Sequence, residues 1–254
     1  MLVGTICCQT GAPSDFQTCL DTCRGRGCVY PLPLITSMAK NEGGRSNAGI
    51  SATTISQCPR LTILKADEDY YEAPSEYHAR WRGTGVHAMA EKDSPYDGVI
   101  QEIRIRKTIT ILGMEVTISG QPDWYDTIYH HLDDWTSTAQ CPLKVYPDHQ
   151  LQVNIYAWLI DGGVWDNGEA SNDIVETASI VYIDPKRSVS LDVDLWSSEA
   201  VEKEIVRRLE PVIAYRLGGE LPGPQYLSKK DGWRKKFCPF SGSGLCCSDN
   251  EERE

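Results

Sequence analysis

The sequence predicts a mixed α/β domain, and three observations carry that prediction. Residues 99–112, VIQEIRIRKTITIL, alternate isoleucine with charged or polar residues, the period-two pattern of a half-buried strand. Residues 149–161, HQLQVNIYAWLID, place Leu151, Ile155, Trp158 and Leu159 at helical spacing. Residues 197–219, SSEAVEKEIVRRLEPVIAYRLGG, open on serine caps and stop at a glycine pair, so that helix carries both of its end signals.

The remaining elements fall around these. GISATTISQCPRLTILKADEDY (49–70) begins with serine and threonine caps and runs helically from about Thr54. SEYHARWRGTGVHAMAEKD (75–93) reads as a second helix, in which Gly83 and Gly85 are costly unless another group approaches closely. MEVTISGQPDWYD (114–126) and IYHHLDDWTST (128–138) are strand-like, and DIVETASIVYIDP with RSVSLDVDLW reads as a hairpin. The order is helix, helix, three strands, helix, two strands, helix, which is a mixed α/β arrangement.

Bulk properties narrow the function. The chain has 254 residues, 41% hydrophobic and 24% charged, the profile of an ordinary globular protein. It has no apolar run long enough for a membrane span, and MLVGTICCQTGAPSDF lacks the basic start and apolar core of a signal peptide. A cytoplasmic, intracellular location is therefore expected, with no membrane partner. The net charge of −11 argues against a sequence-independent phosphate-binding surface over the whole molecule, although RIRK (104–107) and KKDGWRKK (229–236) are locally basic. Clustered carboxylates that hold metal ions also make a chain acidic.

Ten cysteines in an intracellular chain point to metal rather than disulfides. Residues 1–49 hold five of them, with little periodicity, and are expected to need a metal to fold. Cys8 or its neighbour Cys7, with Cys19, Cys23 and Cys28, supplies four thiolates for a tetrahedral zinc site. The boundary expected from this is a cysteine-rich extension over 1–49 and a main domain over 50–250.

The chemistry concentrates at GQPD and LDDWTST. Asp123 and Asp134 are placed on neighbouring strands, and two carboxylates brought together repel and raise each other's pKa. A hard cation, Mg²⁺ or Mn²⁺, removes that penalty and can polarise a phosphoryl oxygen. His87 offers an imidazole, with Glu91 one helical turn along. By alternation His130 and His131 point to opposite faces and are set aside, and Asp133 reads as a solvated neighbour rather than a ligand.

Four phrases in order, GTGVHAMAE, SGQPDWYD, LDDWTST and QVNIY, resemble the motif set of RecB-type nucleases in the PD-(D/E)XK superfamily: G-x-x-x-H, G-x-x-D, D-x-K and Q-x-x-x-Y. The likeness covers about residues 50–160 and, through the C-terminal cysteines, extends almost to residue 250. It implies a PD-(D/E)XK core with a mixed central sheet flanked by helices. It also implies that His87, Asp123 and Asp134 ligate a divalent metal, with the Trp135 carbonyl as a further ligand. Gln152 and Tyr156 would line the site, and Glu91 or Glu102 would support it. The implied activity is hydrolysis of DNA phosphodiester bonds, from ends or on single strands. The implied settings are repair, recombination, phage or CRISPR-type processing, beside a helicase, recombination or CRISPR partner protein.

The departure is Thr136. The family places a lysine there, which orients the attacking water and stabilises charge on the phosphate; a hydroxyl supplies no positive charge. The lysine has migrated, with Lys107 and Lys144 as candidates; or metal and water suffice at a lower rate; or the fold binds DNA or a partner without cutting. Relatives of AddB type and of a CRISPR-adaptation family hold a four-iron iron–sulfur cluster on one cysteine before the core and three after it. Here Cys58 stands before it, and CPFSGSGLCC offers Cys238, Cys246 and Cys247, with Ser241 where the middle cysteine falls. Zinc ligation or inert thiols remain the alternatives for these cysteines.

Overall fold

Two of the runs that read as single strands each change sheet partway along, and these changes organise the fold. In this computed structural model the described residues are 1–23, 30, 32–40, 50–75, 81, 83–85, 97–224, 238–241, 243 and 245–246. In chain order the elements are β1 (Leu2–Ile6), β2 (Pro13–Asp15), α1 (Phe16–Thr18), a π-turn at Cys19–Cys23, α2 (Leu32–Lys40), β3 (Ile50–Ser51), α3 (Ala52–Ile55), α4 (Pro59–Asp67) and β4 (Tyr70–Glu72). They continue with β5 (Val99–Ile100), β6 (Ile105–Ile111), β7 (Met114–Gly120), β8 (Trp124–Asp126), β9 (His131–Ser137) and α5 (Pro147–Ile160). The last are β10 (Asp161–Trp165), β11 (Ala170–Asn172), β12 (Thr177–Ile183), β13 (Ser188–Asp192) and α6 (Ser198–Arg216). The fold is mixed α/β.

The chain forms two compact units that interleave along the sequence. The first takes Met1–Arg45, Cys58–Trp81 and Gly219–Glu254; the second takes Ser46–Gln57 and Arg82–Gly218. In the first, a three-stranded sheet runs β2–β1–β4, with β1 antiparallel to β2 and parallel to β4. The N-terminal segment, expected to lack a core, has one: Phe16, Leu34, Ile35 and Met38 are buried together, with Leu2 and Leu20 against them. LPLITSMAK has a helical apolar stripe, and its packing against Phe16 gives the segment an apolar centre that composition concealed.

The second unit holds two five-stranded sheets, β11–β10–β6–β7–β3 and β13–β12–β9–β8–β5. Strands β6 and β7 pair from Ile105↔Gly120 to Ile111↔Met114, and the turn closes on Leu112 (φ 50°) and Gly113 (φ 79°), a two-residue turn needing positive φ at both positions. The run 99–112 is therefore not one strand: β5 lies in one sheet and β6 in the other. Between them Glu102 takes φ 50°, and its N–H donates to Pro122 O at 3.1 Å. The run 114–126 divides in the same way at 121–123, with β7 in one sheet and β8 in the other.

Helix α5 is apolar almost all round, the pattern of a helix buried on several sides. Its contacts include β6 and β7 of one sheet and β9 of the other. Buried Asn154 within it is fully used: Nδ2 donates to Gln150 O (2.9 Å) and Asp194 O (3.1 Å), and Oδ1 accepts from Trp196 N (2.6 Å). This fixes α5 against the segment that leads into α6. Among the described residues no helix is long and apolar enough to cross a membrane.

Candidate active site

The two switch points meet, and the acids sit where they meet. Gln121 Nε2 donates to Glu102 Oε2 at 2.7 Å, and Arg104 Nη2 donates to Gln121 Oε1 at 3.1 Å. This ties the bend before β6 to the GQPD bend before β8. Asp123 ends that bend. Asp134 lies in β9, which pairs antiparallel with β8 through Trp124↔Asp133. Asp123 Oδ2 accepts the Trp135 N–H at 2.5 Å, so one carboxylate is locked to the strand that carries the other. Both are almost fully withdrawn from water, at 4% and 5% exposure.

Helix α5 completes the site from above this sheet. Tyr156 is buried, and its phenol pKa is pushed well above the ordinary value, first by burial and then by the negative charges of Asp134 and Asp123. Both carboxylates are therefore felt at one phenol. Gln152 Nε2 donates to Tyr156 Oη at 3.0 Å, and the Thr53 side chain also hydrogen-bonds that oxygen. Gly120 makes this approach possible: a Cβ there would lie 2.6 Å from Tyr156 Cδ1 and 2.7 Å from Leu159 Cδ1. The glycine of SGQPD is thus a packing requirement of the site.

Of the residues expected from sequence, Asp123, Asp134, Gln152 and Tyr156 are brought together, and Trp135 joins them through its backbone. Thr136 shares the Asp134 face by alternation. His87 and Glu91 lie outside the described residues. Gly83, which opens the GTGVH phrase, would place a Cβ 3.3 Å from Ser137 Oγ, so the phrase begins beside the end of β9. Lys107 is engaged elsewhere: its ammonium donates to Trp158 O (3.2 Å) and Asp161 O at the C-terminal end of α5 and lies 4.3 Å from the Trp158 ring centroid. A cation on helix-terminal carbonyls is a stable arrangement and accounts for this lysine. Lys144 is exposed. Sequence reasoning missed Thr53, whose side chain bonds the Tyr156 phenol.

The opposite face of β9 is different. Asp133 Oδ1 lies 3.3 Å from His131 Nε2 and accepts from Ser179 Oγ, which in turn accepts from Ser190 Oγ at 3.1 Å. His130 sits in the preceding turn at φ 50°, with Nδ1 2.8 Å from Asp173 Oδ1.

Cys58, Cys238 and Cys246 belong to the first unit. Cys58 is buried at the start of α4, and Cys238 and Cys246 are half-buried with their sulfur atoms 3.7 Å apart. At that separation the two thiols are in contact with each other. Arg60 links the two sequence regions: Nε and Nη2 donate to Leu245 O (2.8 and 2.7 Å), and Nη1 donates to Pro222 O (2.7 Å). It follows Cys58 by two residues, and Leu245 immediately precedes Cys246. Cys247 lies outside the described residues. In the N-terminal set Cys8 is exposed and Cys19 half-buried; Cys28 and the Cys23 side chain lie outside the described residues. Among the described residues no three His, Cys, Asp or Glu side chains gather as a metal ion would need.

No family model and no curated protein matches the chain. A solved structure, "Crystal structure of SSO0001", matches with a TM-score of 0.59 at 19% identity, over 85% of this chain and 94% of that one. At that identity the likeness concerns fold alone. What it supports is that the mixed α/β architecture described above is shared with that protein.

Proposed function

We propose that this protein is a divalent-metal-dependent deoxyribonuclease of the RecB type, with a PD-(D/E)XK core. The observation that carries the reading is the meeting of Asp123 and Asp134, both nine-tenths buried, at the point where two strands change sheet. Burying two carboxylates side by side is costly unless a cation joins them, and oxygen donors of this kind suit Mg²⁺ or Mn²⁺. Asp123 and Asp134 would hold the ion, with His87 the third ligand that the motif resemblance implies. When bound there, such an ion would supply Lewis-acid polarisation of a phosphoryl oxygen and activation of water. The chain's own residues set the geometry. Trp135 N–H fixes the orientation of Asp123. Tyr156, kept protonated by burial and by both acids, acts as a hydrogen-bond donor rather than a base. Gln152 holds the phenol in place.

Single strands or DNA ends are the expected substrate, and a helicase, recombination or CRISPR-type assembly the expected setting. Cys58, Cys238, Cys246 and Cys247 would hold a four-iron cluster that closes the first unit. Brown protein containing iron after anaerobic purification is the expected result; colourless protein with stoichiometric zinc removes the cluster.

The test of the activity is cleavage of end-labelled single- and double-stranded DNA with Mn²⁺, Mg²⁺ or EDTA, beside the Asp123→Ala variant. Metal-dependent cutting that the variant lacks is the expected outcome. Thr136, together with the engagement of Lys107 at the end of α5, favours a second reading: a nuclease-fold module that binds DNA or a partner protein without cutting. Metal-dependent DNA binding with no cutting at all would establish it.

A further inference from the structure

One end of the sheet that holds β8, β9 and β12 exposes apolar side chains on a fixed frame. Ile128, Tyr129 and Ile174 are 59%, 70% and 67% exposed. Ile128 and Tyr129 ride the turn between β8 and β9, and Ile174 lies in the loop that leads into β12. Hydrogen bonds hold the turn from within. Asp126 Oδ1 accepts the N–H groups of Ile128 (2.8 Å) and Tyr129 (2.9 Å). Thr127 donates to Gly98 O from its N–H (2.8 Å) and from its hydroxyl (2.7 Å). The two loops are also tied to each other. The Glu176 N–H donates to His130 O at 2.8 Å, and Asp173 Oδ1, which accepts the Ile174 N–H at 2.9 Å, lies 2.8 Å from His130 Nδ1. Apolar groups on such a frame lose little freedom when a partner covers them.

The same end of the sheet is acidic. Segments 97–103, 121–143 and 167–185 contain no lysine or arginine. Asp97 and Glu176 are exposed and Asp173 is half-exposed. A Cβ on Gly98, the neighbour of Asp97, would lie 3.0 Å from Ile128 Cδ1, so this acid borders the apolar group. The buried Tyr125 phenol is pushed well up, first by burial, then by Asp173, with Asp126 and Glu176 adding to it. Three acids are thus felt at one point of this sheet end. Their charge decides what can cover the apolar group. A phosphate backbone or an anionic lipid surface would be repelled. A second copy in a two-fold pair would set the acids against their own counterparts. A protein segment with basic residues around apolar ones matches both features.

We propose that this end of the sheet is a docking surface for a partner protein, which it takes through a segment of apolar residues flanked by lysine or arginine. Ile128, Tyr129 and Ile174 supply the apolar contact. Tyr129 is the anchor, because a large ring with few rotatable bonds gains much contact for little lost freedom. Asp97, Asp173 and Glu176 form an acidic rim that steers and selects the partner by charge. None of these residues belongs to the acid site of Asp123 and Asp134, so the inference stands whether or not the protein cuts DNA.

The experiment measures binding of a fluorescein-labelled synthetic peptide of leucine and lysine residues to the full chain by anisotropy. Control peptides carry glutamate for lysine or serine for leucine. The variants are Ile128→Ser/Tyr129→Ser/Ile174→Ser, Tyr129→Ser alone, and Asp97→Asn/Glu176→Gln. Their side chains are at the surface, so each should keep the wild-type Tm. Wild type should bind the leucine–lysine peptide and neither control. The triple variant should bind it about 10-fold or more weakly. The charge variant should bind it several-fold more weakly, with less dependence on added salt than wild type. Absence of binding by wild type overturns the proposal. So does equal binding by all the variants, which would report only the overall negative charge, or equal binding of either control peptide. A wild-type dimer in sedimentation that Tyr129→Ser dissociates also overturns it, because a second copy is then the occupant.

Discussion

Asp133 and Asp134 are adjacent in sequence and belong to different chemistries. Asp133 faces His131 and the Ser179 hydroxyl, half-exposed, in a chain of polar partners along the sheet surface. Asp134 faces the Tyr156 phenol and shares its electrostatic effect with Asp123, almost fully withdrawn from water. One step along a strand separates an acid satisfied by neighbours from an acid held in the interior beside another acid. Composition does not distinguish them; the pleat does.

The largest test of this difference is functional. On the proposed nuclease reading, Asp134→Asn should lower metal-dependent cleavage by about 1,000-fold or more and abolish the Mn²⁺-induced rise in Tm, because a proposed ligand is lost. Asp133→Asn should leave cleavage within a few-fold of wild type. Its cost should appear as stability, about 1 kcal/mol for a weakened hydrogen-bond set, or some 2–4 °C in Tm. Equal loss of cleavage in both variants, measured on the same labelled strand, breaks the comparison.

A second test probes the support under the buried face. Gly120→Ala places a methyl where Tyr156 and Leu159 already lie within 2.6 and 2.7 Å. Overpacking of this kind costs about 1–3 kcal/mol. Chemical denaturation should show that loss, and cleavage should fall with it because Tyr156 must shift. A variant with wild-type stability would show that the helix yields easily and that the glycine is not required.

The smallest effect concerns pH. Asp184 accepts backbone N–H groups from Lys186, Arg187 and Cys141, which hold its carboxyl well below the ordinary range. A carboxyl depressed in the folded state contributes stability that is present above its unfolded pKa, about 3.9. That contribution is lost as pH falls from there through the folded value. Asp184→Asn should therefore flatten the acid side of a Tm-versus-pH curve; an unchanged acid slope removes Asp184 as a contributor.

Much of the second unit was legible because its signals are local. Isoleucine alternation marked β6, the serine caps and terminal glycines marked α6, and TASIVYIDP with RSVSLDVDLW marked the β12–β13 hairpin. The strand changes at Glu102 and at 121–123 were not legible, since alternation continues through a change of sheet. The motif resemblance singled out Asp123 and Asp134, which the fold brings together, but the Thr53 contact to Tyr156 was not legible, because Thr53 lies in a short helix about a hundred residues upstream. The N-terminal apolar cluster was hidden by its spacing, with Phe16 separated from Leu34 by the cysteine-rich stretch.

The interleaving of the two units has a consequence for biosynthesis. The second unit ends at Gly218, whereas the first needs Gly219–Glu254. A ribosome therefore releases every residue of the acid-bearing unit before it releases Cys238 and Cys246. Domains generally fold as units while the chain emerges, N-terminal parts first. Here the earliest residues made, β1 and β2, belong to the unit whose last segment is made last, although their own sheet and apolar core draw only on residues 2–72. Anything that Cys238 and Cys246 help to form is then completed after the acid-bearing unit has been made, and chains truncated near residue 218 should bring Asp123 and Asp134 together on a molecule whose other unit is incomplete.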